Sequence, residues 1–327
     1  MAALDPDVAV IRQVVRRAVL DSATGVLVAC SGGADSMALA AAAAFVRRRA
    51  GRPVGLVTVD HQLQPGSADR ARSVEAWAES VGLGPVIVST VDTTDRTGGP
   101  EAAARDARYD ALVAAATAQD LDTVLLGHTR HDQAGTVLLA LVRGAGPRGL
   151  AGMPRRRTRD GIALVRPLLG IGRDQTRSAC AAMGLPIWDD PHNDDPAYRR
   201  THARRLLDSL AASLGPAVVD NLARTADMVA VDTAALDEWA ADALAKLDLD
   251  GGLPVAELRV LPTAVRTRVL HAWARRLGVS GSALSHHHVA ALEALITAWR
   301  GQGPAWLPGG VAVARRDGHL VRLDIGG

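Results

Sequence analysis

Two cysteines and a single lysine are all that this 327-residue chain holds of those residue types. Cys30 and Cys180 lie far apart and form no CxxC pair, which argues against a disulfide framework and a zinc knuckle and suits a reducing, cytoplasmic setting. Lys246 is the one lysine among 37 basic residues; the others are arginines. Arginine suits forked phosphate contacts, although so one-sided a usage also follows from genomic composition. The longest apolar run, Met37 to Val46, is too short to cross a bilayer, and Met1 to Arg17 lacks a signal h-region. A formal charge of +2 leaves no strongly basic tail while permitting a local basic face. At 48% hydrophobic residues there is ample material for a core, and the length predicts two domains.

The chain is organised around Gly25-Val-Leu-Val-Ala-Cys-Ser31-Gly32-Gly33-Ala34-Asp35-Ser36. An apolar β-branched segment runs into two glycines, and an alanine-rich helical segment starts at once, so the turn falls between a buried strand and a helix N-terminus. Glycines let the backbone approach an anion, and the free N–H groups of a first helical turn point at it. Ser31 and Ser36 add hydroxyls, and Asp35 suits a divalent cation on a polyphosphate. No Gly-Lys-Ser/Thr ends the loop, so it is not of the Walker type. A polar turn that merely caps a helix has the same composition.

A lead-in helix over Val8–Leu20 precedes alternating units. Predicted strands are Gly25–Ala29, Val54–Asp60, Pro85–Thr90, Thr123–His128 and Ala163–Leu168; predicted helices are Asp35–Ala50, Ala68–Val81, Glu101–Gln119, His131–Val142 and Arg173–Met183. That alternation predicts an α/β domain with a doubly wound, mostly parallel sheet, over residues 1–215, whose ligands sit at the carboxyl ends of the strands. Two polar clusters fall at such ends, Asp60-His61-Gln62 and the run from Gly127 through His128, Asp132 and Gln133. Glu101, Arg105 and Arg108 share a helix face, as an ion-pair ladder or as part of a site. Arg143–Gly152 reads as a glycine-rich turn or lid, and Pro154–Arg159 as a basic hairpin. Asp189, Asp190, Asn193, Asp194 and Asp195 precede Arg199, Arg200, Arg204 and Arg205, a pattern for metal and phosphate together or for a self-neutralising loop.

From residue 216 the texture turns helical: a bridging helix over Val218–Leu247, then Pro262–Leu277 with Arg266, Arg268, Arg275 and Arg276 outward. The adjacent histidines His286, His287 and His288 point different ways on a helix and do not suit a metal. The chain ends in a β-hairpin signal with its turn at Asp317-Gly318. Residues 216–327 are therefore expected to form a smaller, mainly helical domain that closes with a hairpin.

Ser31-Gly-Gly-Ala-Asp-Ser36 resembles the SGGxDS loop of the PP-loop ATP pyrophosphatases, the adenine nucleotide alpha hydrolase-like fold. The rest of the chain resembles tRNA(Ile)-lysidine synthetases over nearly its whole length: the Glu101–Tyr109 helix, His128–Thr136, Arg143–Gly149, Arg166-Pro-Leu-Leu, Asp190–Arg204 and the Leu-Pro-Gly-Gly hairpin. The resemblance implies a ligase that binds the isoleucine tRNA with a CAU anticodon. Such an enzyme adenylates O2 of the wobble cytidine with ATP and lets the ε-amine of L-lysine displace AMP. It implies that Ser31, Gly32, Gly33, Ala34, Asp35, Ser36 and His61 bind ATP, and that Asp35 and Asp132 hold Mg²⁺. Catalytic roles fall to Asp35, Asp132, Arg105 and Arg200. Substrate contacts fall to Glu101, Arg105, Arg108, His128, Asp132, Gln133, Asn193, Arg200 and Arg204. A homodimer is among the assemblies open to it.

The chain departs from the family pattern at Thr129 and Thr201, at His131 where an aspartate is usual, and at Gly135 where a glutamate would share a face with Asp132. Two rivals use the same loop. A PP-loop tRNA thiolase normally needs paired or nucleophilic cysteines, and a non-catalytic nucleotide-binding module would not need the Asp190–Arg204 segment.

Overall fold

The computed structural model describes residues 4–60, 66–91, 100–189, 199–281 and 283–323, with only the backbone described at 100–102 and 199–200. Two compact units divide it, Met1–Ala230 and Val231–Gly327.

In the first unit the elements run α1 (Pro6–Leu20), β1 (Val26–Ala29), α2 (Ala34–Ala50), β2 (Val54–Asp60), α3 (Ser67–Ser80), β3 (Val86–Thr90), α4 (Pro100–Ala118), β4 (Thr123–Leu126) and α5 (Arg130–Val142). They continue with α6 (Pro147–Leu150), β5 (Arg156–Arg159), β6 (Ile162–Val165), α7 (Arg173–Ala182) and α8 (Arg199–Leu214), and α9 (Ala217–Lys246) carries the chain across the division. The sheet order is β3-β2-β1-β4-β6-β5. All neighbours are parallel except the edge pair β5 and β6, a hairpin closed at Asp160-Gly161. The predicted doubly wound sheet and the basic hairpin are therefore both present. Continuous apolar strands such as Val26-Leu27-Val28 are buried because helices cover both faces. On one face α1 buries Val8, Ile11, Val15 and Val19 with Met37 and Leu39 of α2; on the other, Leu112 and Ala116 of α4 meet Leu27 and Val124.

Two strands end earlier than the sequence predicts. β4 stops at Leu126 because Gly127 must pass over the first turn of α2; a Cβ there would come within 3.2 Å of the Ser36 backbone. β6 stops at Val165, where Pro167 starts a 3₁₀ turn.

The second unit holds β7 (Leu253–Pro254), α10 (Val255–Arg259), α11 (Thr263–Arg276), α12 (His286–Thr297), β8 (Ala305–Leu307), β9 (Val311–Arg316) and β10 (His319–Leu323). The expected hairpin is β9 and β10, and β7 and β8 extend it to an antiparallel sheet of four strands ordered β7-β10-β9-β8. Val265, Val269, Leu270 and Trp273 of α11 face inward as the helical period requires. Arg266 and Arg268 do not face freely outward as expected. Arg266 is 7% exposed, with its guanidinium on Glu293, the Leu261 carbonyl and the Thr263 hydroxyl. Arg268 is held by Asp237 and the Ala264 carbonyl. Of the predicted outward arginines, Arg275 and Arg276 are exposed.

Candidate functional site

The order of the sheet reverses direction at β1, whose neighbours β2 and β4 follow it on opposite sides. A crevice at the carboxyl ends of the strands is the expected ligand position in such a sheet. Cys30, Ser31, Gly32 and Gly33 leave β1 there and open into α2. Gly32 has φ of +85°, which a side chain would strain, and Gly33 is the N-cap with no side chain on the free amides of the first turn. Ser36 is turned into the loop: its hydroxyl donates to the Gly33 carbonyl at 2.9 Å and accepts from the Ser31 amide at 3.1 Å. It braces the turn, whereas Ser31 is exposed at the loop's surface. From the flank, the Trp188 amide donates to the Gly32 carbonyl, and the Arg70 guanidinium lies 4.2 Å from the Trp188 ring centroid.

Asp35 lies in the first turn of α2 and Asp132 in that of α5, and the fold brings both to one side chain that sequence reading did not nominate. Arg173, the first residue of α7, places Nη2 2.8 Å from Asp132 Oδ1 and Nε 3.8 Å from Asp35 Oδ2. Thr176, one turn later, donates its hydroxyl to Asp35. Burial pushes the Asp35 carboxyl up, and the neighbouring Asp132 charge adds to this, against the Thr176 hydrogen bond and the charges of Arg173 and Arg204. Burial also opposes ionisation of Asp132, but Arg173 and the donors of Thr129 outweigh it and hold that carboxyl low. The Thr129 amide and hydroxyl both donate to Asp132 Oδ2, at 2.8 and 3.0 Å. Thr129 is the N-cap of α5, and its two donors fix Asp132, the N3 residue, in a capping box.

Around Tyr109 of α4 stands a cationic wall. Arg105 and Arg166 reach the Tyr109 hydroxyl at 3.5 and 3.4 Å, and Arg108 and Arg159 lie over the Tyr109 ring. Arg159 is paired with Asp110. Among the described residues, no ion pair to a carboxylate is found for Arg105, Arg108 or Arg166. Arg166 is 3% exposed and its Nε has no partner among the described residues. His128, beside this wall, has a buried Nδ1 without a partner among the described residues. Burial first, then the charges of Arg108, Arg166 and Arg105, pull its imidazole far below the usual range against the opposing pull of Asp132, so the ring is neutral.

Gln133 is committed elsewhere: its amide nitrogen donates to the Met153 carbonyl and its oxygen accepts from the Met153 amide. That leaves its amide to position the loop after α6 and not a substrate. Gly135 does not look toward the acids either; a Cβ there would sit 3.7 Å from Ala203 and Leu207 of α8. Arg204 of α8 adds positive potential at Asp35. His61 and Asn193 lie outside the described residues, and the side chains of Glu101 and Arg200 are likewise not described. Arg166, Arg173 and Thr176 were missed as site residues. Arg166 stood in a recognisable Arg-Pro-Leu-Leu run, but nothing local marks Arg173 and Thr176 as more than the start of a helix.

Two carboxylates, a hydroxyl and free amides at a glycine turn form a hard-oxygen, anion-receptive set. They suit a small divalent ion that takes one or two carboxylates and completes its shell with phosphate oxygens. Cys30 and Cys180, by contrast, are both buried. Burial raises both thiols, Cys180 to about 11, which leaves neither as a ready thiolate. No described helix is long and apolar enough to cross a membrane.

Residues 6–210 match the family model of the PP-loop domain, and residues 253–321 match that of the TilS substrate binding domain. The chain is 61% identical over 330 residues to the tRNA(Ile)-lysidine synthase of Salinispora tropica, covering 100% of this chain and 99% of that protein. It is 52% identical over 304 residues to that of Streptomyces coelicolor, covering 92% and 86%. Among solved structures, a U34-tRNA thiolase from Methanococcus maripaludis is similar in fold, with a TM-score of 0.57 at 17% identity over 68% of this chain and 78% of the thiolase.

Proposed function

The chain belongs to the tRNA(Ile)-lysidine synthase family, and from that premise we propose that it ligates L-lysine to C2 of the wobble cytidine of tRNA(Ile) with a CAU anticodon. Cytidine O2 attacks the α-phosphorus of ATP and pyrophosphate leaves; the lysine ε-amine then attacks C2 and AMP departs, leaving lysidine. The observation that carries the reading is the convergence of Asp35 and Asp132 beside the glycine turn at the carboxyl end of β1.

In this reading the amides of Gly33, Ala34 and Asp35 and the exposed Ser31 hydroxyl receive the departing pyrophosphate. Asp35 and Asp132 would hold Mg²⁺, which would neutralise polyphosphate charge. Asp132, kept ionised, also suits the lysine ammonium. Arg105, Arg108 and Arg166, which have no carboxylate partner among the described residues, suit phosphate of the nucleotide or of the tRNA backbone. His128, neutral, is too weak a base to take a proton efficiently; its free Nδ1 suits a hydrogen bond to the cytidine. The second unit supplies tRNA grip.

The thiolase alternative is disfavoured by the two buried, high-lying thiols, and its structural likeness is one of fold alone. The reading is tested by incubating the protein with labelled lysine, ATP and a tRNA(Ile) transcript bearing CAU. Lysine incorporation with stoichiometric AMP and pyrophosphate is expected. ATP binding without either product would replace the ligase by a nucleotide-binding module.

A further inference from the structure

The position of Arg173 has a consequence for how the site loads. Its one guanidinium reaches both Asp35 and Asp132 and so spans two helix starts. The three side chains remain 21–30% exposed, so the contact opens to solvent and an incoming cation can reach it. The acids depend on it: without a cation between them, two carboxylates share a partly buried space, and Asp35 already feels Asp132 as a repelling charge.

We propose that Arg173 is a tethered resident cation, which occupies the space between Asp35 and Asp132 and is displaced when a substrate cation arrives. The displacing chemistry is a cation that carboxylates accept, either a divalent metal ion or the ammonium of lysine. The inference rests on the proposed reading for which cations matter, but the occupancy of the acid pair by Arg173 does not depend on it. The geometry makes Arg173 a competitor of the cation and a partner of the acids in turn. Its backbone supports the second role, because the Arg173 amide donates to His131 Nδ1 at 3.3 Å and anchors the start of α7 to α5 while the side chain swings.

The test uses the full chain without nucleotide. Arg173→Gln removes the charge and keeps much of the side-chain length, and Arg173→Lys keeps the charge. Mn²⁺ binding is followed by electron paramagnetic resonance, and thermal melts are run with added Mg²⁺ or L-lysine. Competition predicts that Arg173→Gln melts below wild type without cations and binds Mn²⁺ about tenfold more tightly, as removal of a unit charge near 4 Å at a solvated site implies. Its melting point should rise with cation more than that of wild type, while Arg173→Lys stays near wild type. A rise with L-lysine but not Mg²⁺ assigns displacement to the ammonium; the reverse assigns it to the metal. Unchanged or weaker binding of both cations in Arg173→Gln overturns the proposal. If that variant does not fold, the wild-type Arg173 ¹⁵Nε resonance decides: it should move on saturating Mg²⁺ or lysine, and a fixed resonance under both overturns the idea. Failure of lysine incorporation into tRNA by the wild type would sink the ligase reading and leave these binding results standing.

Discussion

Arg166, on the segment after β6, donates to the hydroxyl of Tyr109 on α4 at 3.4 Å, 57 residues earlier in the chain. Burial raises the Tyr109 phenol, but Arg105, Arg108 and Arg166 together outweigh it and set its ionisation below the ordinary value. In a Tyr198→Phe background, which leaves Tyr109 as the one tyrosine of the chain, the absorbance change of phenol ionisation should therefore have its midpoint below 10. Tyr109→Phe should cost about 1–2 kcal/mol in urea unfolding, because Arg166 loses one of its two acceptors. A midpoint at or above 10 would mean that the guanidinium wall does not face the phenol.

His128 makes a prediction in acid. Its folded imidazole titrates far below the unfolded value of about 6.5, so the unfolded chain takes up a proton first as pH falls. Stability contributed by the neutral ring is present above pH ~6.5 and is lost as pH drops below it. Between pH 6.5 and 5.5 wild type should lose about 1 kcal/mol more than His128→Gln. Parallel urea-derived stabilities for the two proteins would show that the ring is solvated.

Much of this was legible in the chain because its signals are local. The strand–glycine–helix punctuation around Ser31 and the repeated β-runs need only neighbours a few residues apart. Arg173 and Thr176 were not legible, since Asp132 lies 41 residues and Asp35 141 residues before the residues that touch them, and only the sheet order joins them. The two- and three-residue strands β7 and β8 are too short to show a period. Arg266 misled for another reason: helical period assigns a direction to a side chain, but a partner on another helix such as Glu293 cannot be read from it.

Gly135 shows how geometry alters an expectation. On α5 its added Cβ would meet Ala203 and Leu207 at ordinary contact distance, and its φ is not left-handed. Gly135→Ala should therefore stabilise the protein by about 0.5–1 kcal/mol through helix propensity. Gly135→Glu, expected from the family pattern to strengthen the acid site, should instead destabilise, as the position is buried in the seam with α8. Equal or higher melting temperature for the glutamate variant would show that its carboxylate escapes the seam toward the arginines of α8.

The exposed arginines leave a choice between two physical roles. Arg156 and Arg157 lie on β5, an edge strand, where charge alone discourages pairing with other chains. Arg275 and Arg276 end α11, where a cation suits the helix C-terminus. Either pair would look the same if it also gripped tRNA phosphates, but salt separates the roles, because each phosphate contact releases counterions. Replacing a contacting pair with alanine should lower the slope of log affinity against log salt by about 2, roughly 1 per arginine. The measurement is tRNA binding by Arg156→Ala/Arg157→Ala and by Arg275→Ala/Arg276→Ala from 50 to 200 mM salt, roughly the range over which the slope is well defined. We expect the α11 pair to show the drop, since it lies in the segment matching the substrate binding domain. An unchanged slope there, with a fall for the β5 pair, would move the phosphate grip to the edge of the parallel sheet. If neither slope changes, the arginines protect an edge and cap a helix, and the RNA is held elsewhere.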